Sequence, residues 1–240
     1  SVAEWLARNP FDLSLHTGDL AYQLGTFSNI EQKVLAVYAA WWASVPFFPS
    51  PGNHDYYAQS LLPYLAVFAL PENAAEKGDR ERYYAFTWGP VRFYALDSNA
   101  PLDGGTAMTR WLEADLKATE APFRVVYFHH PPYSSSSHGD DDRVQTQLVP
   151  IFEANRVDLV LSGHDHVYER TKPLIGGTPS VYGIPYIVTG GGGAKLYGRN
   201  STLPRTEVFV AEHHALELVF TKGCKLSARA VKPNDEVIDT

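Results

Sequence analysis

A chain of 240 residues, 45% of them apolar, carries material for one large core or two small ones, which excludes a disordered or fibrous polypeptide. A net charge of −7 gives no sign of a general nucleic-acid surface, and an anionic ligand meets net repulsion unless local cations invert the field. One cysteine, Cys224, excludes an internal disulfide, and no apolar run reaches membrane-spanning length.

In chain order, Val2, Trp5 and Leu6 predict a short helix over residues 1–9, ended by Pro10. Residues 11–17 alternate like a strand and deliver Gly18, Asp19, Leu20, Ala21 and Tyr22. A long helix is expected from Ser28, with a Ser28–Glu31 capping box and Ile30, Val34, Val37, Tyr38 and Trp41 on one face. Residues 45–48 are a short extended run that opens into Gly52-Asn53-His54-Asp55, and a second helix is expected over Gln59 to Phe68. Residues 83–88 and 91–96, split by Gly89-Pro90, read as an antiparallel hairpin. Met108, Trp111, Leu112 and Leu116 mark a further helix.

The strand 124–128 then delivers His129-His130. Serines 134–137 read as a flexible loop rather than a nucleophile, leading to one helix with Val144, Leu148, Ile151 and Phe152 inward. Leu159 to Ser162 form a buried strand that ends in Gly163 and the pair His164 and His166. Beyond residue 170 strands dominate. Residues 185–188 run into Gly190–Gly193, and strands 214–221 and 225–231 meet at a Lys222-Gly223 turn. Early alternation of helix and strand followed by a strand-rich end predicts an α/β fold, two packed mixed sheets flanked by helices, in a single domain spanning 1–240.

Four polar clusters directly follow apolar runs: Asp19 with Tyr22, Asn53 with His54, His129 with His130, and His164 with His166. Ligands in α/β sheets bind beyond the carboxyl ends of strands, and neutral imidazole suits zinc, iron, copper and nickel. Each cluster has an ordinary alternative. Asp19 suits a helix cap or turn, Asn53 a turn after Pro-Gly, His129 and His130 a pair satisfied by carbonyls, and Tyr22 a half-buried aromatic. A dinuclear metal site explains all four together.

Gly-Asp-Leu-Ala-Tyr (18–22), Gly-Asn-His-Asp (52–55), His129 after its strand, and Gly-His-Asp-His-Val-Tyr-Glu-Arg (163–170) resemble the calcineurin-like metallophosphoesterases. The tyrosine three residues after the aspartate is similar to the purple acid phosphatase branch. The resemblance implies a four-layer sandwich and hydrolysis of phosphate monoesters, of acid phosphatase type, by a metal-bound hydroxide. It implies that Asp19 bridges two ions, that Tyr22 and His166 bind the first, Fe(III), and that Asn53, His129 and His164 bind the second, Fe(II), Zn or Mn. His54 would hydrogen-bond the phosphate, His138 would contact substrate or protonate the leaving group, and His130 would sit behind the ligands or be structural.

The family also has an earlier strand ending in Gly-Asp-x-Gly, for which this sequence has no match, since Asp12 and Asp97 stand in the wrong places. The expectation is therefore an N-terminally incomplete domain lacking its first strand and one aspartate ligand. The same resemblance implies a small phosphorylated substrate, no nucleic-acid or membrane partner, and a secreted or periplasmic setting. A phosphodiesterase or nucleotide hydrolase, a silent phosphate-binding domain and a single-zinc hydrolase are the competing readings. Gly190–Gly193 lacks the Gly-Lys-Ser/Thr ending of a phosphate loop and is expected as a tight turn beneath the histidine loop.

Overall fold

The computed structural model describes residues 1–58, 60–221 and 225–240. The expected helix start at Gln59, the Lys222-Gly223 turn and Cys224 lie outside the described residues. Helix α1 (Val2–Arg8) leads to strand β1 (Ser14–His16). Next comes a helical stretch in three parts: α2 (Phe27–Ile30), a π turn (Glu31–Leu35) and α3 (Ala36–Trp42). The expected Ser28–Glu31 capping box is not formed. Thr26 caps instead, its hydroxyl accepting the Asn29 N–H at 3.1 Å, while the Ser28 hydroxyl accepts from Gln32 at 2.9 Å. The wide π turn inserts an extra residue and rotates the face that follows. Leu35, Tyr38 and Trp42 therefore join Ile30 and Val34 at the core, and Val37 is left 50% exposed.

Strand β2 (Phe47–Pro49) precedes the short helices α4 (Asn53–Tyr56) and α5 (Leu62–Val67). The hairpin β3 (Tyr84–Trp88) and β4 (Val91–Ala95) forms as expected, followed by α6 (Ala107–Ala118) and β5 (Phe123–Phe128). The single helix expected after residue 141 is two, α7 (Asp142–Gln147) and α8 (Val149–Ala154). Pro150 explains the break, because it has no N–H for the preceding turn and is tolerated only where a helix begins. The rest is strand: β6 (Leu159–Ser162), β7 (Tyr168–Thr171), β8 (Leu174–Ile175), β9 (Thr178–Pro179), β10 (Tyr186–Thr189), β11 (Thr206–Val210), β12 (Ala215–Thr221), β13 (Lys225–Val231) and β14 (Val237–Asp239).

A central mixed sheet has the order β11-β7-β10-β6-β5-β4-β3, parallel from β4 through β10 and antiparallel at both margins. Both its faces are buried, so β5 alternates between two cores: Val126 and Phe128 face one, Val125 and Tyr127 the other. Helices α6, α7 and α8 cover the first face through Leu112, Val144 and Phe152. A second layer covers the other face. It consists of the parallel pair β1–β2 and the antiparallel trio β12-β13-β14, two pieces not hydrogen-bonded to each other among the described residues. The expected mixed α/β architecture is present, with the second layer divided. No helix among the described residues is long and apolar enough to cross a membrane.

His214, between β11 and β12, is 2% exposed and held by the Thr189 hydroxyl and the Glu212 carbonyl. Burial pushes its imidazole down to about 4. With the folded value below the unfolded one, no stability is lost above about pH 6.5. As pH falls from there towards 4, the unfolded chain takes up a proton that the fold refuses, at a cost approaching ~1.4 kcal/mol per pH unit. Denaturant melts at about pH 7 and about pH 4.5 should therefore show a smaller acid loss for His214→Gln than for the wild type. An equal loss in both proteins would remove His214 from the account.

Candidate metal centre

Parallel pairing brings strand ends together in pairs. β1 and β2 run side by side, so Asp19 and Asn53 emerge at one edge, and β5 and β6 do the same for His129 and His164. The two layers then place both edges over one cleft. A Cβ on Gly52 would lie 2.2 Å from the Asp19 backbone nitrogen, so only glycine allows this approach. Asp19 (φ 58°) and His164 (φ 67°) both take the left-handed conformation, which costs a non-glycine residue about 1–3 kcal/mol and is retained where function needs it.

The side chains converge as follows. Tyr22 donates its O–H to Asp19 Oδ2 at 2.9 Å and lies 2.8 Å from His166 Nε2. His129 Nε2 stands 3.2 Å from Asp19 Oδ2, 3.0 Å from Asn53 Oδ1 and 3.1 Å from His164 Nδ1. The other nitrogens of these rings are tied to carbonyls, His129 Nδ1 to Thr17 at 2.8 Å and His166 Nδ1 to Lys195 at 2.7 Å. A carbonyl only accepts, so each Nδ1 carries a proton and Nε2 is the nitrogen turned inward. This is the outer arrangement that orients metal-binding histidines. Asn53 is fixed likewise: its Nδ2 donates to the Tyr57 hydroxyl at 2.7 Å, which leaves Oδ1 facing inward.

The electrostatics point the same way. Burial opposes the Asp19 charge, but the hydrogen bond and charge of His129 and the His54 N–H hold its carboxyl well below the usual range. Burial likewise opposes charge on His129, and Asp19 raises it nonetheless. Both shifts say that the cluster draws positive charge to one point. Burial and the Asp19 carboxylate raise the Tyr22 phenol, so its proton stays unless a cation displaces it. Burial and the neighbouring His129 and His130 charges lower His164, and burial lowers His166, keeping both rings free as ligands. Carboxylate, phenol, amide oxygen and three imidazoles suit transition-metal ions.

The remaining expected residues are near but distinct. His54 donates its Nδ1–H to the Gln23 carbonyl, and its Nε2 is 4.0 Å from Asp19. His138, 42% exposed at the side chain, sits at the rim with its ring centroid 4.0 Å from that of His164, held by Asp165 through its backbone N–H and Nδ1. A ring nitrogen of His130 comes within 4.8 Å of ligand atoms of His129 and His164, beside the donors. Asp12 is exposed, and Asp97 is buried against Tyr56, Arg82 and Asn99, so neither joins the donors.

Two expectations about the surroundings meet different fates. Gly190 does pack beneath the histidine loop, where a Cβ would lie 2.1 Å from the Asp165 carbonyl oxygen. Three of the four serines are packed rather than loose. Ser134, Ser135 and Ser136 are buried and satisfied by Asp165, Glu169 and the Gly198 carbonyl, partners more than 30 residues away in sequence.

Sequence reasoning also missed supporting residues. Asp55, quoted in the motif but given no role, accepts the backbone N–H groups of Gly52, Asp19 and Leu20 at 2.9, 3.0 and 3.1 Å. Burial pushes its carboxyl up to about 6, against the pull of the Gly52 and Leu20 N–H groups. Tyr197 stacks on His166 at 4.2 Å and 12°, with no local sequence signal to announce it.

Residues 1–168 match the calcineurin-like phosphoesterase family, and the chain belongs to that family. Among curated proteins it is 28% identical over 199 residues to purple acid phosphatase 21 of Arabidopsis thaliana, covering 78% of this chain and 45% of that protein. It is 30% identical over 231 residues to acid phosphatase type 7 of Danio rerio, covering 77% of this chain and 49% of the relative. The chain thus spans about half the length of the curated relatives it matches. A solved purple acid phosphatase from yellow lupin (Lupinus luteus) seeds shares the fold with a TM-score of 0.89 at 20% identity, over 99% of this chain and 48% of that one. The expected kinship with purple acid phosphatases is met by these relatives.

Proposed function

We propose that this chain hydrolyses small phosphate monoesters, as an acid phosphatase does, with a pair of metal ions held by its own side chains. One observation carries the reading: the donor contacts fall into two sets joined through Asp19. Tyr22 and His166 lie on one side, and His129, Asn53 and His164 on the other. The first set, with a phenol that becomes a hard anionic oxygen donor, suits Fe(III), and the second suits Fe(II), Zn or Mn. Two cations bound there would lower the pKa of water, offset phosphoryl charge and clamp the attacking and leaving oxygens in line. His54 would orient a phosphoryl oxygen at the cleft. His138, with Nδ1–H turned to Asp165, keeps Nε2 for holding or delivering a proton at the leaving oxygen.

A specific observation also favours a second reading. Ligand atoms of His129, His130 and His164 lie mutually within 4.8 Å, a spacing that suits one zinc ion. Elemental analysis with rates on aryl phosphate monoesters and diesters tests both. Two ions per chain, including iron, and monoester turnover are expected, with a visible charge-transfer colour that Tyr22→Phe abolishes. One zinc and no iron would replace the dinuclear reading. Faster diester cleavage would make the chain a phosphodiesterase, and tight phosphate binding without turnover a silent binder.

A further inference from the structure

We propose that His130 is a fixed hydrogen-bond donor to a phosphoryl oxygen rather than a metal ligand; the substrate named here rests on the phosphatase reading above. The partner of each Nδ1 sorts the histidines of the cleft. In His54, His129 and His166 it is a backbone carbonyl, which forces a proton onto Nδ1. In His130 it is the Ser98 hydroxyl at 2.9 Å. That hydroxyl already accepts the His130 backbone N–H at 3.0 Å. Ser98 is fully buried, and among the described residues its proton has no acceptor other than His130 Nδ1. Leaving a buried O–H without an acceptor is unfavourable, so Ser98 donates, and the His130 proton resides on Nε2.

An Nε2–H cannot ligate a cation, and Nδ1 is already engaged by Ser98. The nitrogen left to serve the cleft is therefore a donor. His130 Nε2 has no partner among the described residues, yet it is not one of the sealed polar atoms that lack one. The His130 ring lies 5.0 Å from that of His129 and 4.7 Å from that of His164, centroid to centroid, and one of its nitrogens lies within 4.8 Å of ligand atoms of both, so the ring borders the place an anion drawn to the cluster would occupy. A donor fixed before the substrate arrives needs no reorganisation as charge builds on the phosphoryl oxygens.

Two measurements on the whole chain test this. Long-range proton–nitrogen NMR of the metal-free protein reads tautomers directly: Nε2–H is expected for His130, with Nδ1–H for His129 and His166. An Nδ1–H form of His130 overturns the proposal. Metal content and inorganic phosphate affinity are then compared in the reconstituted wild type, His130→Ala, His130→Gln and Ser98→Ala. Expected are unchanged metal content in His130→Ala with at least about tenfold weaker phosphate binding, recovery in His130→Gln, whose amide keeps a donor, and an intermediate loss in Ser98→Ala. A folded His130→Ala that loses metal makes His130 a ligand and overturns the proposal, as does unchanged phosphate affinity. A wild type that shows the Nε2–H tautomer but binds neither metal nor phosphate overturns the phosphatase reading, and the ligand named here with it, while the tautomer stands.

Discussion

Asp19→Asn is expected to strip metal from both halves of the cleft and to lower kcat by ~10³-fold or more. Asparagine keeps the shape of the side chain and tolerates the left-handed backbone at this position, so the change removes the charge and little else. That charge is the one feature common to the Tyr22–His166 and His129–Asn53–His164 sets. A stability signature accompanies the loss. Because the folded carboxyl is held below its ordinary value, Asp19 contributes stability that is fully present above about pH 4 and disappears as pH falls through the folded value. The metal-free variant should therefore be less stable than the metal-free wild type at neutral pH, and the gap should close in strong acid. Elemental analysis and denaturant melts at two pH values check both halves. Full metal loading with near-wild-type turnover would remove Asp19 from the centre of the site.

The residues at the cleft were legible in the sequence because their clusters follow apolar runs, and three of them stand beside a glycine that the close approach requires. Gly18-Asp19, Gly52-Asn53 and Gly163-His164 are local signals, and parallel strand pairing turns them into one place. What stayed hidden depends on partners far away in sequence. β7 escaped notice because Glu169 and Arg170 break its apolar pattern. Glu169 is satisfied by Ser135, and Arg170 by Asp239 at 2.6 Å. Serines 134–136 look like a loose linker for the same reason, since nothing local announces that Asp165 and Glu169 will hold them. The π turn at Glu31–Leu35 is likewise invisible to a count that assumes a constant period, and it moved the buried face away from Val37. The tautomer of His130 is further still from the sequence, because it depends on the hydroxyl of Ser98, 32 residues earlier.

Asp55→Ala should have the largest effect on the fold of the cleft. Its carboxylate, 2% exposed, is the acceptor for the backbone N–H groups of Gly52, Asp19 and Leu20, which sew the loop after β1 to the loop after β2. Truncation leaves three buried donors unsatisfied at roughly 1–3 kcal/mol each, a large part of the ~5–15 kcal/mol that holds a domain together. Asp55→Asn should recover little, because its amide keeps one acceptor oxygen and turns an NH₂ towards N–H groups that need acceptors. Asp97→Asn supplies the control. Asp97 is just as buried, but it binds Tyr56, Arg82 and Asn99 away from the donors, so it should lower the melting temperature without changing metal content while the protein is folded. Both Asp55 variants are expected to lose stability and metal together, because the loops they release carry Asp19, Tyr22, Asn53 and His54. Circular dichroism melts paired with elemental analysis separate the two classes. An Asp55→Ala protein that melts like the wild type and keeps its metal would mean that the cleft is held by its ligands alone, and that the three backbone contacts are incidental.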